Sequence, residues 1–363
     1  MRKRRETRAV RVGSVVIGGA APISIQSMTS VPIEDVQGTI GQIRRLEEQG
    51  ADIVRLALRN VEAVEYLREI RKSVSMMLTA DIHFNYRIAL EAIKAGVNKV
   101  RINPGNIGDE SRVSEVVRAA KDHGVPIRIG VNAGSVDRKK YPHVTPESLV
   151  ESAMEHVEIL ERNNFEDIIV SIKSSDVFQT IEANRMFSLR SNYPLHIGLT
   201  EAGYGLACVV QSSIAIGHLL LEGIGDTIRV SMTGDPVEEV LVAKRILETV
   251  GERNPLIRLV SCPTCGRTDT ALDILQLARD VEERCNASFG DILRGMNKTI
   301  TVAVMGCEVN GPGEASEADF GLAGAREGNL LLFARGSKIR KVSQAQAVDA
   351  LLEEIRTSLS INN

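Results

Sequence analysis

Three cysteines stand where a metal centre could use them. Cys262 and Cys265 are two residues apart in Ser-Cys262-Pro-Thr-Cys265-Gly, and Cys307 lies in Gly-Cys307-Glu-Val-Asn-Gly-Pro-Gly-Glu314. Thiolates so spaced on a turn can ligate one centre, and a third from another strand-to-loop junction can close around it. A redox dithiol would leave Cys307 idle, and Pro263-Thr264 does not open a thioredoxin-like βαβ pattern. Zinc and iron–sulfur centres both accept thiolates, but a structural zinc usually takes four ligands. Cys208 and Cys285 sit in apolar or helical stretches and read as core. A carboxylate from Glu308, Glu314 or Glu317 would complete the three thiolates with one replaceable oxygen, which suits a catalytic rather than a structural centre.

A second set of polar residues recurs at the ends of short apolar runs. These are Arg55, Asp81 with His83, Arg101 with Asn103, Arg128 with Asn132, Lys173, Glu201, and Arg229 with Ser231. Singly, each cation would be expected to pair with a nearby carboxylate. Together, five cations against Asp81 and Glu201 predict a net positive mouth for an anion with several charges, phosphate or diphosphate, because guanidinium groups bind phosphoryl oxygens through paired hydrogen bonds. Asp81 and His83 alternate along a strand and so share a face. Glu201, His83 and Asn132 could handle protons and orient a hydroxyl. A Walker A motif is absent.

The elements that must position these groups follow a βα rhythm. Aliphatic, β-branched runs occur at 23–28, 53–58, 77–82, 99–102, 127–131, 168–172, 195–199 and 228–232. Between them lie amphipathic stretches, several ending at Gly50, Gly96 or Gly124, with Asn60, Asn85 and Asp235 as candidate N-caps. Eight such units predict a TIM-type (β/α)8 barrel, with a doubly wound open sheet as the alternative; in a barrel the reactive face is the C-terminal end of the strands. After the polar link Gly251–Pro255 the composition changes. The expected division is a barrel over 1–254 and a small α+β domain over 255–363, with a helix at 270–284, strands at 300–305 and 330–334, and a last helix at 345–358.

Composition narrows the partners. A net charge of −3, no Trp and 3% aromatics give neither a phosphate-backbone footprint nor stacking platforms, so no nucleic acid is expected. The basic run from Arg2 to Arg11 reads as a solvated terminus. No apolar run suffices to cross a membrane, and the first residues lack a signal-peptide core, which predicts a cytoplasmic protein.

The motifs, taken in order, resemble those of the 4-hydroxy-3-methylbut-2-enyl diphosphate synthase family. They are Ile25-Gln-Ser-Met-Thr29, Thr79-Ala-Asp-Ile-His83-Phe, Arg101-Ile-Asn-Pro-Gly105-Asn, Arg128-Ile-Gly-Val-Asn132, Leu199-Thr-Glu201-Ala-Gly, Ser261-Cys-Pro-Thr-Cys265-Gly-Arg267 and Met305-Gly-Cys307-Glu-Val-Asn310-Gly-Pro-Gly-Glu314-Ala. The resemblance covers the whole chain. It implies two-electron reductive ring opening of 2-C-methyl-D-erythritol 2,4-cyclodiphosphate, with electrons from ferredoxin or flavodoxin. It further implies a 4Fe-4S cluster on Cys262, Cys265 and Cys307 with Glu314 as fourth ligand. Arg55, Arg101, Arg128, Lys173, Arg229 and Ser231 would then hold the diphosphate. Glu201, His83, Asp81, Asn103 and Asn132 would orient or protonate the carbon skeleton.

The eighth helix should return roughly 22 Å to the barrel's far end. The link after it spans about 14 Å at most. A cluster domain tethered there does not easily reach its own barrel mouth, so a head-to-tail homodimer is expected, each cluster domain capping its partner's barrel.

Overall fold

The computed structural model describes residues 3–103, 107, 110–307, 317–325 and 327–359. The chain divides into two compact units, 1–253 and 254–363.

The first unit opens with a small hairpin, β1 (Val10–Val12) and β2 (Val15–Ile17). The barrel then alternates β3 (Ser24–Met28), α1 (Val36–Gln49), β4 (Ile53–Leu58), α2 (Ala63–Ser73), β5 (Met77–Ile82), α3 (Tyr86–Lys94) and β6 (Lys99–Ile102). It continues with α4 (Glu110–His123), β7 (Ile127–Asn132), α5 (Pro146–Arg162), β8 (Ile168–Lys173), α6 (Val177–Arg190), β9 (His196–Ile197), α7 (Gly205–Leu221), β10 (Thr227–Ile228) and α8 (Pro236–Thr249). The parallel sheet runs β8-β7-β6-β5-β4-β3-β10-β9. A bridge between Val170 and Leu195, with the Val170 N–H donating to Pro194 O at 3.0 Å, joins its ends into a TIM-type barrel.

The helix signals act as their chemistry dictates. Asn60, Asn85 and Asp235 accept from the backbone N–H groups of Ala63, Arg87 and Val237. Gly50 takes a left-handed φ of 99° behind α1. The last two barrel strands are shorter than the sequence runs suggest, and β9 ends where Gly198 leaves the extended conformation with φ +152°. The hairpin has no counterpart among the sequence expectations: Val10, Val12 and Ile17 pack on Ile53 and Ile169 as a plug.

Within the basic terminus Lys3 and Arg11 are exposed, as expected, but Arg4, Arg5 and Arg8 are tied down. Arg5 donates to the carbonyls of Ser191 and Tyr193 at 2.7 and 2.6 Å, Arg4 to Ala21 O at 2.6 Å, and the Arg8 guanidinium lies over the Tyr193 ring. Its arginines staple the start of the chain onto the barrel.

The second unit is a five-stranded sheet ordered β11 (Ile257–Ser261), β12 (Ile300–Met305), β13 (Phe320–Gly324), β14 (Asn329–Ala334) and β15 (Ser337–Ser343). The first three strands are parallel and the last two pairings antiparallel. Helices α9 (Ile274–Gly295) and α10 (Gln344–Ser358) pack on it around a separate core. Helix α9 extends well beyond 270–284 and carries Cys285 inward. There, burial pushes the thiol up to about 12, as befits a packing residue.

Candidate functional site

Period-two alternation turns one face of each barrel strand into the lumen, and at the C-terminal ends that face is charged. Asp81 on β5 is buried and takes Arg101 Nη1 at 3.2 Å and Arg55 Nε at 3.6 Å. Arg55 also donates to the Met28 sulfur. His83 stands more exposed at the rim and accepts from Arg101 Nη1 at 2.9 Å through Nε2. Because arginine has no acceptor, that bond requires a bare Nε2 on the ring. Burial opposes ionisation of Asp81, but the guanidinium groups of Arg55, Arg101 and Arg128 outweigh it and hold the carboxyl far below its ordinary range.

Two glycines make room for the cations. A Cβ on Gly130 would stand 2.5 Å from Arg101 Nε, and one on Gly198 would stand 2.9 Å from Lys173 Nζ.

Arg128 and Lys173 are the unusual members. Both are buried, and neither forms an ion pair or hydrogen bond among the described residues; the Arg128 Nε is wholly shut off from solvent. Burial first, then neighbouring cations, Arg55 and Arg101 for Arg128 and Arg128 and Arg229 for Lys173, push both well below their ordinary values. Arg55 is likewise pushed down to about 10, by burial above all.

Arg229 differs. Its guanidinium meets both carboxylate oxygens of Glu239, at 3.1 and 3.2 Å, and Glu239 further accepts from Ser27 and the Met232 N–H. Glu239, on α8, is a buried second carboxylate that sequence reasoning missed, so the expectation that only Asp81 and Glu201 stand at this depth is corrected. Five cations against two buried carboxylates still leave three positive charges unmatched.

Beside them a cavity of about 170 Å³ is lined by His83, Arg101, Asn103, Asn132, Ser135, Ser175, Thr200 and Glu201. Glu201 is exposed there on a left-handed backbone, φ 55°. That conformation is uncommon outside glycine. Ser231 is half-buried, and its carbonyl oxygen receives the Cys208 thiol at 3.5 Å.

In the second unit, β11 and β12 lie side by side with Ser261 opposite Val304, which puts Cys262 beside Gly306-Cys307 at one end of the sheet. The Gly306 N–H donates to Cys262 Sγ at 3.1 Å. Cys265 is exposed, its thiol lowered by the Arg267 side chain 3.5 Å away. Between them Thr264 holds a left-handed φ of 52°. Asp269, a residue not foreseen, ties the loop down by accepting from Gly328 N while its own N–H donates to Gly306 O. Among the described residues no three His, Cys, Asp or Glu side chains converge as a metal site. Glu308 and Glu314 lie outside the described residues, and Glu317 is exposed. Cys262, Cys265 and Cys307 lie in the two loops that leave one end of the sheet, and three thiols are by donor type what an iron–sulfur cluster takes.

The two units match known domains in the same order. The GcpE TIM-barrel domain matches residues 7–244 and the GcpE protein C-terminal domain residues 258–357. The chain belongs to the GcpE family. Among its relatives, 4-hydroxy-3-methylbut-2-en-1-yl diphosphate synthase (flavodoxin) of Clostridium acetobutylicum is 52% identical over 97% of this chain and 99% of its own. The protein of the same name from Thermodesulfovibrio yellowstonii is 51% identical over 98% and 100%. Among solved structures, dihydropteroate synthase from Stenotrophomonas maltophilia covers 69% of this GcpE chain and 100% of its own, with TM-score 0.51 and 14% identity. That likeness shows the barrel fold alone. No helix among the described residues is long and apolar enough to cross a membrane.

Proposed function

We propose that this GcpE-family chain is a 4-hydroxy-3-methylbut-2-enyl diphosphate synthase, reducing 2-C-methyl-D-erythritol 2,4-cyclodiphosphate in the cytoplasm with electrons from flavodoxin or ferredoxin. Two electrons enter, one carbon–oxygen bond to a phosphoryl group breaks, and a hydroxyl leaves as water after taking a proton. The observation that carries this reading is the pair of buried cations, Arg128 and Lys173, which have no counterion among the described residues. A diphosphate supplies the missing charge, and its oxygens suit the fork of a guanidinium.

Arg55, Arg101, Arg229 and Ser231 complete the phosphoryl cradle. Asn103 and Asn132 orient the carbon skeleton, while Asp81 fixes Arg55 and Arg101. Glu201, over the cavity beside His83, is placed to hand a proton to the departing hydroxyl. Cys262, Cys265 and Cys307, with Glu314, hold a 4Fe-4S cluster, which when bound supplies one-electron transfers.

The working form is a head-to-tail homodimer. Helix α8 starts at the mouth and, at 1.5 Å per residue, carries the chain about 21 Å toward the opposite end of the barrel. An apolar stripe on α7, Leu206, Val210, Ile214 and Leu221, is exposed on a single chain and suits burial against another copy. Light scattering that found the active species monomeric would refute the dimer. The reaction is tested by anaerobic turnover of the cyclodiphosphate by reconstituted protein with a strong reductant, beside Glu314→Ala. Conversion by the wild type and its loss in the variant are expected; absence of conversion by a cluster-loaded wild type contradicts the proposal.

A further inference from the structure

Below the mouth, the lumen departs from the branched aliphatic filling usual in such barrels. Lys99, at the start of β6, is fully buried, and its Nζ crosses to Gln26 Oε1 on β3 at 2.8 Å. That is the only hydrogen bond of this ammonium's three donors among the described residues, and no carboxylate pairs with it. Thr79 on β5 and His196 on β9 are equally buried, and among the described residues neither the Thr79 hydroxyl nor either His196 ring nitrogen has a partner. Ser171 on β8 and Thr227 on β10 turn their hydroxyls to backbone carbonyls.

The charged groups facing Lys99 are cations. Burial, then Arg128 from β7 and Arg55 from β4, hold it well below the ordinary range of a lysine. Burial, then the cations Lys173 and Arg128, likewise push His196 well below the ordinary range of an imidazole. The two carboxylates buried at the mouth are already engaged, Asp81 by Arg55 and Arg101 and Glu239 by Arg229, and the buried Asp226 accepts from Arg4, Thr7 and the Leu195 N–H. An ammonium in this position, with no anion above it, is strongly disfavoured.

We propose that Lys99 is a positioning residue of the anion site, uncharged while the mouth is empty and protonated when a diphosphate enters, so that binding draws a proton from solution. The inference rests on the reading of the mouth as a diphosphate site. The incoming charge offsets the repulsion from Arg55 and Arg128, and the ammonium formed adds attraction from beneath. Proton and anion thereby favour one another's binding by linkage.

The test is calorimetric titration of oxidised holoenzyme with the cyclodiphosphate, without reductant, in buffers of different ionisation enthalpy between about pH 7 and 9. Each phosphorus of this cyclic ligand has one ester and one anhydride linkage and so a single strongly acidic oxygen, and the ligand carries no titrating proton there. Wild-type protein is expected to take up protons on binding, and Lys99→Met up to one fewer per barrel. Lys173→Met should keep the share due to Lys99. Equal uptake in wild type and Lys99→Met, with binding retained, overturns the proposal. If Lys99→Met does not fold, Gln26→Leu serves instead. Losing the acceptor that favours the ammonium should move the uptake curve to lower pH, and an unmoved curve counts against the assignment. Failure of the folded wild-type holoenzyme to bind the cyclodiphosphate at all would remove the diphosphate reading itself.

Discussion

The barrel mouth and the cysteine end of the second sheet solve opposite problems. In the barrel, the charged groups are fixed on strands, mostly buried and crowded with their own kind, so the site is formed before any ligand arrives. At the cysteine end the thiols sit on a turn and a strand terminus, half-buried or exposed, and Cys262 accepts from a backbone N–H and Cys265 from a side-chain guanidinium. Rigid placement suits recognition of an anion of fixed shape. Looser thiols suit a site whose geometry is imposed by what it holds.

The sharpest break between the regions is expected from Cys307→Ala. It should abolish iron retention and turnover, read by iron content and visible absorption, while the barrel still binds the cyclodiphosphate. Parallel loss of binding would show that the two regions are not separable. Glu201→Gln comes next, with kcat lowered roughly 10²- to 10⁴-fold and substrate affinity nearly kept, the mark of a proton-transfer role. Lys173→Met should act the other way. Iron should stay at the wild-type level, while affinity for the cyclodiphosphate falls roughly 10- to 100-fold, the usual worth of a charged hydrogen bond.

A last contrast separates the units by pH. The six histidines all precede residue 219, so the second unit has none. Burial holds His156 down to about 4, so between about pH 6.5 and 4 the unfolded chain binds a proton that the folded barrel refuses. That stability is complete above about pH 6.5, and about 3 kcal/mol of it is lost as the pH falls to about 4. Hydrogen exchange should show the barrel weakening over this interval and the second unit holding, and His156→Gln should flatten the response.

Much of the barrel was legible because its signals are local. Strand alternation placed Asp81, Arg101 and Arg128 in one lumen, and Asn60, Asn85 and Asp235 capped helices as their side chains allow. What escaped depends on contacts distant in sequence or on misleading context. Glu239 sits on an amphipathic helix, where a glutamate ordinarily faces water, and only closure of the barrel turns it onto Arg229 and Ser27. Lys99 opens a strand, a position that reads as solvated, yet its neighbours bury it completely. The arginines at the chain start resemble a free basic arm until the carbonyls of Ser191 and Tyr193 receive them. Strands β13 and β15 were missed for want of apolar contrast: Phe320-Gly-Leu-Ala-Gly has few β-branched residues, and Ser-Lys-Ile-Arg-Lys-Val-Ser is largely polar.

The central claim is that the unmatched charge of the barrel mouth exists for a diphosphate. A crystal structure of the oxidised holoenzyme with the cyclodiphosphate tests it most directly. The account predicts phosphoryl oxygens within hydrogen-bonding distance of the Arg128 guanidinium and Lys173 Nζ, beneath Glu201. A ligand bound elsewhere, with Arg128 and Lys173 still unpartnered, would contradict it.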